Sequence, residues 1–258
     1  MSGSNQYRGE VWSRRTEPIP KDERPVIDVV IPALNEEKSL PLILGDMPEG
    51  WVRKVVVADN GSEDGTADVA RQGGAVVVRE DEKGYGAACL AGLAHLRADP
   101  PEIVVFMDGD YSDHPEELSR VVQPIIADGV DMVIGSRMLG EREPGALLVQ
   151  ARFGNWLSCR LMELAFGYRF TDLGPFRAIT WRALEGLQMR DRNFGWTVEM
   201  QARAARRGLR CVEVPVSYRR RVGQSKVTGT VSGSVNAGIK ILYTIGREYL
   251  LDKAGDYG

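Results

Sequence analysis

Short apolar runs rich in Val and Ile recur along the chain: VIDVVIP (26–32), VRKVVVAD (52–59), GAVVVRE (74–80), EIVVFMD (102–108) and DMVIGS (131–136). Runs of this length and β-branched content predict strands, and near-continuous apolarity predicts strands covered on both faces. Between them lie segments with apolar residues at helical spacing: EEKSLPLILGDM, SEDGTADVARQ, GYGAACLAGLAHLRA and HPEELSRVVQPIIAD. This alternation predicts an α/β fold, a mainly parallel sheet sandwiched by helices. Ligands bind such sheets outside the carboxyl ends of the strands, so the residues that follow each strand carry the candidate chemistry.

Beyond about residue 140 the pattern changes. A helical stretch (147–166) leads to YRFTDLGPFRAIT (168–180), read as strand-like, then to helical GWTVEMQARAARRG (195–208) and the strand LRCVEVPVSY (209–218). A basic segment, RRRVGQSKVTG (219–229), precedes a terminal helix. The second half is expected to be an α+β extension that completes the first sheet. Residues 1–24 read as a flexible tail, 25–230 as one domain, and 231–258 as an amphipathic helix and tail.

The chain has 258 residues, 43% hydrophobic and 27% charged, which fits a globular domain with a sizeable core. A net charge of −3 argues against nucleic acid as partner. Cys89, Cys159 and Cys211 form no CxxC or Cys/His cluster, so packed thiols in a reducing cytoplasm are expected rather than zinc ligands. The most apolar stretches, 147–166 and 235–251, are broken by Arg152, Arg160 and Glu163 and by Lys240, Arg247 and Glu248, so neither spans a membrane.

The first predicted strand ends in PALNEE without a GxGxxG, which removes the dinucleotide fingerprint. Pro32 fixes the chain's exit there, and Asn35 and Glu36 are either helix caps or ligand groups. The second ends in ADNGSEDGTAD, where Asp59 is placed to accept hydrogen bonds from a base or ribose, while Ser62, Asp64 and Thr66 read as turn and cap chemistry. In EKGYGAACLAG, Gly84 and Gly86 open a helix either for close ligand approach or for tight packing. The fourth strand runs into Asp108-Gly109-Asp110. Two carboxylates at a strand end suit Mg²⁺ or Mn²⁺ shared with substrate phosphates, and the alternative is a hydrogen-bonded turn. Asp113 reads as the cap of the next helix. Arg137, after the fifth strand, is a phosphate fork or a surface ion pair.

Taken in order, VVIPALNEEKSL, VVVADNGSEDGTADVA, KGYGAACLAG, VVFMDGDYSDHPEEL, VIGSRM, GPFRAI and VEMQARAARRGLRCVEVPVSYRRRVGQSKVTGT resemble family 2 glycosyltransferases over about residues 26–230. The likeness is to the branch of dolichyl- and polyprenyl-phosphate mannosyl- or glucosyltransferases. It implies a GT-A fold (Rossmann-like), a nucleoside-diphosphate sugar donor, a divalent metal and inversion at the anomeric carbon. On the donor side it carries over to Pro32, Leu34, Glu36, Asp59, Lys83, Asp108, Gly109, Asp110 and Arg137. Asp108 and Asp110, with Ser112, match the metal ligands. Arg137, Arg152, Arg221, Ser225 and Lys226 match the acceptor and phosphate side. Two departures stand out. GPFR (174–177) replaces the usual SGFR, and a single amphipathic helix stands where many relatives carry membrane helices.

The resemblance implies transfer of a hexose from a UDP- or GDP-sugar to a polyprenyl phosphate, in the cytoplasm or at the inner face of the membrane. Peripheral membrane contact and a homo-oligomer are compatible with it. A phosphate acceptor needs no base, since its second pKa is about 6. A soluble or lipid hydroxyl acceptor needs one, for which Asp172 and Glu199 are the candidates. A non-catalytic nucleotide-sugar-binding protein is the third reading, and the Asp108/Asp110 pair with the basic segment weighs against it.

Overall fold

The computed structural model describes residues 7–13, 19–223 and 231–254. Among these residues eight strands form one sheet: β1 (Arg8–Val11), β2 (Ile27–Ala33), β3 (Lys54–Asp59), β4 (Val76–Arg79), β5 (Ile103–Phe106), β6 (Met132–Ser136), β7 (Arg177–Thr180) and β8 (Cys211–Pro215). The helices are α1 (Leu40–Gly45), α2 (Thr66–Gln72), α3 (Tyr85–Leu96), α4 (Leu118–Asp128), α5 (Val149–Phe166), α6 (Trp181–Leu187), α7 (Trp196–Arg206) and α8 (Val231–Lys253).

The strand order is β1-β8-β6-β7-β5-β2-β3-β4, parallel throughout except for β7, which runs antiparallel between β5 and β6. Because β7 is reversed, its first residue, Arg177, pairs with Phe106 at the end of β5 and with Ile134 in β6. The segment entering β7 therefore reaches the carboxyl edge, where a parallel sheet places its ligands.

The period-two alternation of the strands splits the core into two layers. Val30, Val56, Val104, Phe106, Met132 and Ile134 pack with Leu93, Cys159, Met162 and Trp196 of α3, α5 and α7. Val29, Ile31, Val57, Val105 and Val133 pack with Leu40, Ile43, Val121, Val122 and Ile125 of α1 and α4. All three cysteines are buried and unpaired.

Two expectations are corrected. Residues 8–11, assigned to a flexible tail, form β1, whose Arg8 and Val11 pair with Cys211 and Glu213 of β8. RGEV carries too little apolar pattern to announce a strand, but the unpaired edge of β8 supplies backbone partners. Within 168–180 only Arg177–Thr180 is a strand. The preceding residues are held through side chains instead, with the Asn155 amide donating to the Thr171 carbonyl and accepting from the Leu173 N–H.

Helix α8 packs on α5 and α7. Thr244, Ile245 and Glu248 are buried on its inner side, while Ile239, Tyr243 and Leu250 are exposed. Among the described residues, no helix is long and apolar enough to cross a membrane.

Candidate active site

A cleft of about 390 Å³ opens at the carboxyl edge of β2 and β5. Its walls bring together Pro32, Leu34, Glu36, Lys83, Gly84, Asp108, Gly109, Asp110 and Arg221, which the sequence singled out, with Asn60, Tyr85, Asn193 and Phe194.

Local turn chemistry fixes the first wall. Asn35 adopts a left-handed backbone (φ 54°), and its N–H donates to Ser62 Oγ. The Glu36 N–H donates to Thr66 Oγ1 at 2.7 Å. The NGSEDGT turn thus carries the 34–36 loop. The Ser39 hydroxyl bridges the Glu36 carboxylate (2.8 Å) and the Gly109 carbonyl (2.7 Å), so Glu36 is tied to the Asp-Gly-Asp turn and does not cap α1 through its side chain. A Cβ on Gly109 would sit 3.0 Å from the Pro32 carbonyl oxygen, a contact that favours glycine here.

Asn60 organises the opposite wall. Its side-chain amide donates to the carbonyls of Glu80 and Glu82 and accepts the Gly84 N–H. Lys83 Nζ lies 3.2 Å from the Gly61 carbonyl oxygen. Asp59, expected to bind the base, is buried and does not line the cleft. Its oxygens accept the Ser62 N–H (2.9 Å) and Arg79 Nη1 (3.0 Å).

Among the described residues, Asp108 Oδ1 is shielded from solvent and has no hydrogen-bond partner. Burial, followed by the charge of Asp110, pushes the Asp108 carboxyl up to about 7. Asp110 Oδ1 accepts the Ser112 N–H and hydroxyl, and its Oδ2 pairs with Arg221 at 3.0 Å. The Ser112 hydroxyl is thereby directed at Asp110. Asp113 does not cap the turn that follows. It is buried, and its Oδ2 accepts the Asp108 N–H at 3.2 Å, adding a third carboxyl to the cluster.

The basic segment is stitched to this turn by backbone bonds from Arg219 N–H to the Ser112 carbonyl (3.0 Å) and from Val222 N–H to the Asp110 carbonyl (2.9 Å). Those bonds deliver Arg221 to Asp110. Ser225 and Lys226 lie outside the described residues.

An orphaned carboxylate oxygen beside a second carboxylate fits a hard divalent cation that completes its shell with water and phosphate oxygens. Among the described residues no group of three or more His, Cys, Asp or Glu is arranged to hold an ion. Two protein carboxylates plus a diphosphate is therefore the arrangement these residues suit.

Arg137 and Asp172 do not line the cleft. They form a buried bidentate pair, with Arg137 Nε and Nη2 at 2.8 and 2.7 Å from the two carboxylate oxygens and the Arg137 N–H on one of them. The Arg137 guanidinium also lies over the Tyr218 ring, 5.1 Å from its centre. Glu199 is buried as well. Its Oε2 accepts the N–H groups of Arg190 and Asp191, and its Oε1 pairs with Arg203 and Arg247, each at 2.9 Å. Arg152 is exposed on α5, away from the cleft.

Glu213 of β8 buttresses Asp172 by accepting the N–H groups of Thr171 and Asp172. Burial pushes its carboxyl from 4.5 up to about 8, against the pull of those N–H groups. The folded pKa exceeds the unfolded one, so the stability it contributes is complete at low pH and lost as pH rises through about 8. The urea midpoint should fall as the pH is raised from 5 to 9, roughly tracking that loss, and Glu213→Gln should flatten the fall. Parallel profiles for the two proteins would contradict this.

The comparisons with known proteins agree on one family. Residues 28–183 match the family model "Glycosyl transferase family 2". An uncharacterized glycosyltransferase of Mycobacterium tuberculosis is 38% identical over 214 residues, covering 82% of this chain and 94% of that one. The undecaprenyl-phosphate mannosyltransferase of Micrococcus luteus is 33% identical over 220 residues, covering 79% and 88%. Among solved structures, glucosyl-3-phosphoglycerate synthase from M. tuberculosis in complex with Mn²⁺, uridine diphosphate and phosphoglyceric acid superposes with a TM-score of 0.72. That match has 21% identity and covers 93% of this chain and 86% of that one. At that identity the likeness speaks for the GT-A-like fold.

Proposed function

The chain belongs to glycosyl transferase family 2, and from that premise we propose that it moves a hexose from a UDP- or GDP-sugar to a polyprenyl phosphate, using Mn²⁺ or Mg²⁺. The observation that carries the choice of acceptor is the state of the two carboxylates a hydroxyl acceptor would need. Both oxygens of Asp172 are held by Arg137, and both oxygens of Glu199 are held by two N–H groups and two arginines. Freeing either as a base would strand a buried cation, a cost of several kcal/mol by order of magnitude. The carboxylates that do line the cleft are Glu36, Asp108 and Asp110, among the described residues. Glu36 is engaged by Ser39, and the Asp pair suits the donor's metal. An acceptor that arrives ionised requires no proton acceptor from the protein.

In the proposed reaction an acceptor phosphate oxygen forms the new bond to C1. The bond from C1 to the donor's β-phosphate oxygen breaks, and the nucleoside diphosphate leaves with that electron pair. Asp108 and Asp110 would hold the divalent ion, which when bound supplies Lewis-acid stabilisation of the departing diphosphate. Arg221 and Lys83, at the same cleft, add fixed positive charge where negative charge develops. Arg137 acts at one remove, with Asp172 holding its fork. The relative named as acting on undecaprenyl phosphate supports this acceptor class. So do the exposed apolar side chains Val149, Phe153 and Trp156 of α5 and Ile239, Tyr243 and Leu250 of α8, which suit peripheral contact with a bilayer surface.

The test is a product assay with Mn²⁺ or Mg²⁺, UDP- and GDP-hexoses, and a short polyprenyl phosphate beside phosphoglycerate and simple alcohols. Sugar should appear on the polyprenyl phosphate and not on its dephosphorylated alcohol. Transfer to alcohols at an equal rate would overturn the acceptor assignment.

A further inference from the structure

One wall of the cleft, Asn193 and Phe194, belongs to no strand end. It is carried by the short connection between α6 and α7, and carboxylates hold that connection in shape. Glu199 accepts the N–H groups of Arg190 (3.0 Å) and Asp191 (2.7 Å). Asp191, 4% exposed, accepts through Oδ1 the N–H groups of Asn193 (2.8 Å) and Gly195 (3.1 Å). The Arg192 carbonyl accepts the Ala87 N–H at 2.9 Å, which presses the connection onto α3.

Both organising carboxylates are neutralised from α8, an element with no residue among the described lining of the cleft. Lys240 Nζ lies 2.9 Å from Asp191 Oδ2, and Arg247, two turns further along, lies 2.9 Å from Glu199 Oε1. Among the described residues, Glu199 has a second cation in Arg203, whereas Lys240 is the cation paired with Asp191. A buried carboxylate that loses its cation is costly to keep. Without Lys240, Asp191 would be driven toward solvent, releasing the two N–H groups that shape the wall.

We propose that Lys240 is a positioning residue for donor binding, and that α8 acts as a strut whose Lys240–Asp191 pair sets the Asn193–Phe194 wall of the nucleotide-sugar cleft. The inference rests on the donor assignment made above, and its test separates the two. Lys240→Met should speed hydrogen exchange at the Asn193 and Gly195 amides of the full chain without nucleotide. It should also weaken binding of UDP or GDP with Mn²⁺ by about tenfold and raise the donor KM more than it lowers kcat. Lys240→Arg, which keeps the charge, should restore affinity to within about threefold. A purely structural role would lower Tm in Lys240→Met while leaving nucleotide affinity and the KM-to-kcat split unchanged, and that result overturns the proposal. Unchanged amide exchange at Asn193 and Gly195 overturns it as well, without reference to any ligand. Failure of the unsubstituted protein to bind either nucleotide with Mn²⁺ would instead refute the donor assignment. Should Lys240→Met not fold, an Asp191→Asn variant serves, since it removes the same pair and is expected to show the same loss of affinity.

Discussion

Asp108→Asn should lower sugar transfer by about three orders of magnitude while leaving the protein as stable as before, or more so. The loss follows from removing one of two carboxylates available to a divalent ion, a transition-state contribution of roughly 4 kcal/mol. The stability expectation follows from how poorly the carboxylate is accommodated. Asp108 Oδ1 has no hydrogen-bond partner among the described residues, and burial and then Asp110 push the carboxyl up to about 7. Its folded pKa stands above the unfolded 3.8, so the favourable contribution belongs to low pH and is lost as pH rises through about 7. At pH 8 the ionised group therefore strains the fold, and a neutral amide of the same shape relieves that strain. Two measurements decide it: kcat with a Mn²⁺ titration, and Tm at pH 8. Retained activity with unchanged metal dependence would refute the metal assignment. A large drop in Tm would refute the claim that the site holds its charge at a cost.

Gly86→Ala carries the largest expected loss of stability, about 3 kcal/mol. A Cβ at Gly86 would fall 2.0 Å from the Asp191 carbonyl oxygen and 2.8 Å from its carbon. The obstacle is backbone, held by Glu199, so no rotamer change relieves it. Gly84 has the same problem with the Arg192 carbonyl, at 2.0 Å and with φ +150°. Close packing of the 190–195 connection on α3 thus accounts for Gly86, while Gly84 meets that connection and also lines the cleft. Gly246→Ala on the exposed side of α8, where a Cβ meets nothing within 4 Å, is the matching control and should gain up to about 1 kcal/mol. Urea unfolding of the three proteins gives the comparison, and a Gly86→Ala midpoint equal to that of the unsubstituted protein would contradict it.

The strands of the first half were legible because burial on both faces forces unbroken apolar runs, and a run of that kind has few other readings. Their carboxyl ends followed, and with them Glu36, Asp108 and Asp110, while Lys83 and Arg221, which the family resemblance supplied, line the same cleft. Asp172 and Glu199 show the limit of such reading. A carboxylate in a sequence carries no sign of its partners, and these two are occupied by Arg137, Arg203 and Arg247, one of them 48 residues away. Asn193 and Phe194 sit in a connection with no motif, and only the packing of that connection on α3 brings them to the cleft. Asn60 stands beside Ser62, Asp64 and Thr66 in a stretch that reads as turn chemistry. Its place at the end of a parallel strand was the available signal, because an amide there can reach across to the next loop.

The pairing of Arg8 with Cys211 bears on how the molecule comes to be made. During synthesis β2, β3, β4 and β5 emerge close together and can pair as they appear, whereas β1, earliest in the chain, has no partner until β8 has been produced. Its four residues must be kept from other sheet edges throughout that interval, and RGEV, with a charge at two positions and a glycine at another, is a poor template for any of them. The weak pattern that conceals this strand in the sequence is the same property that lets it wait.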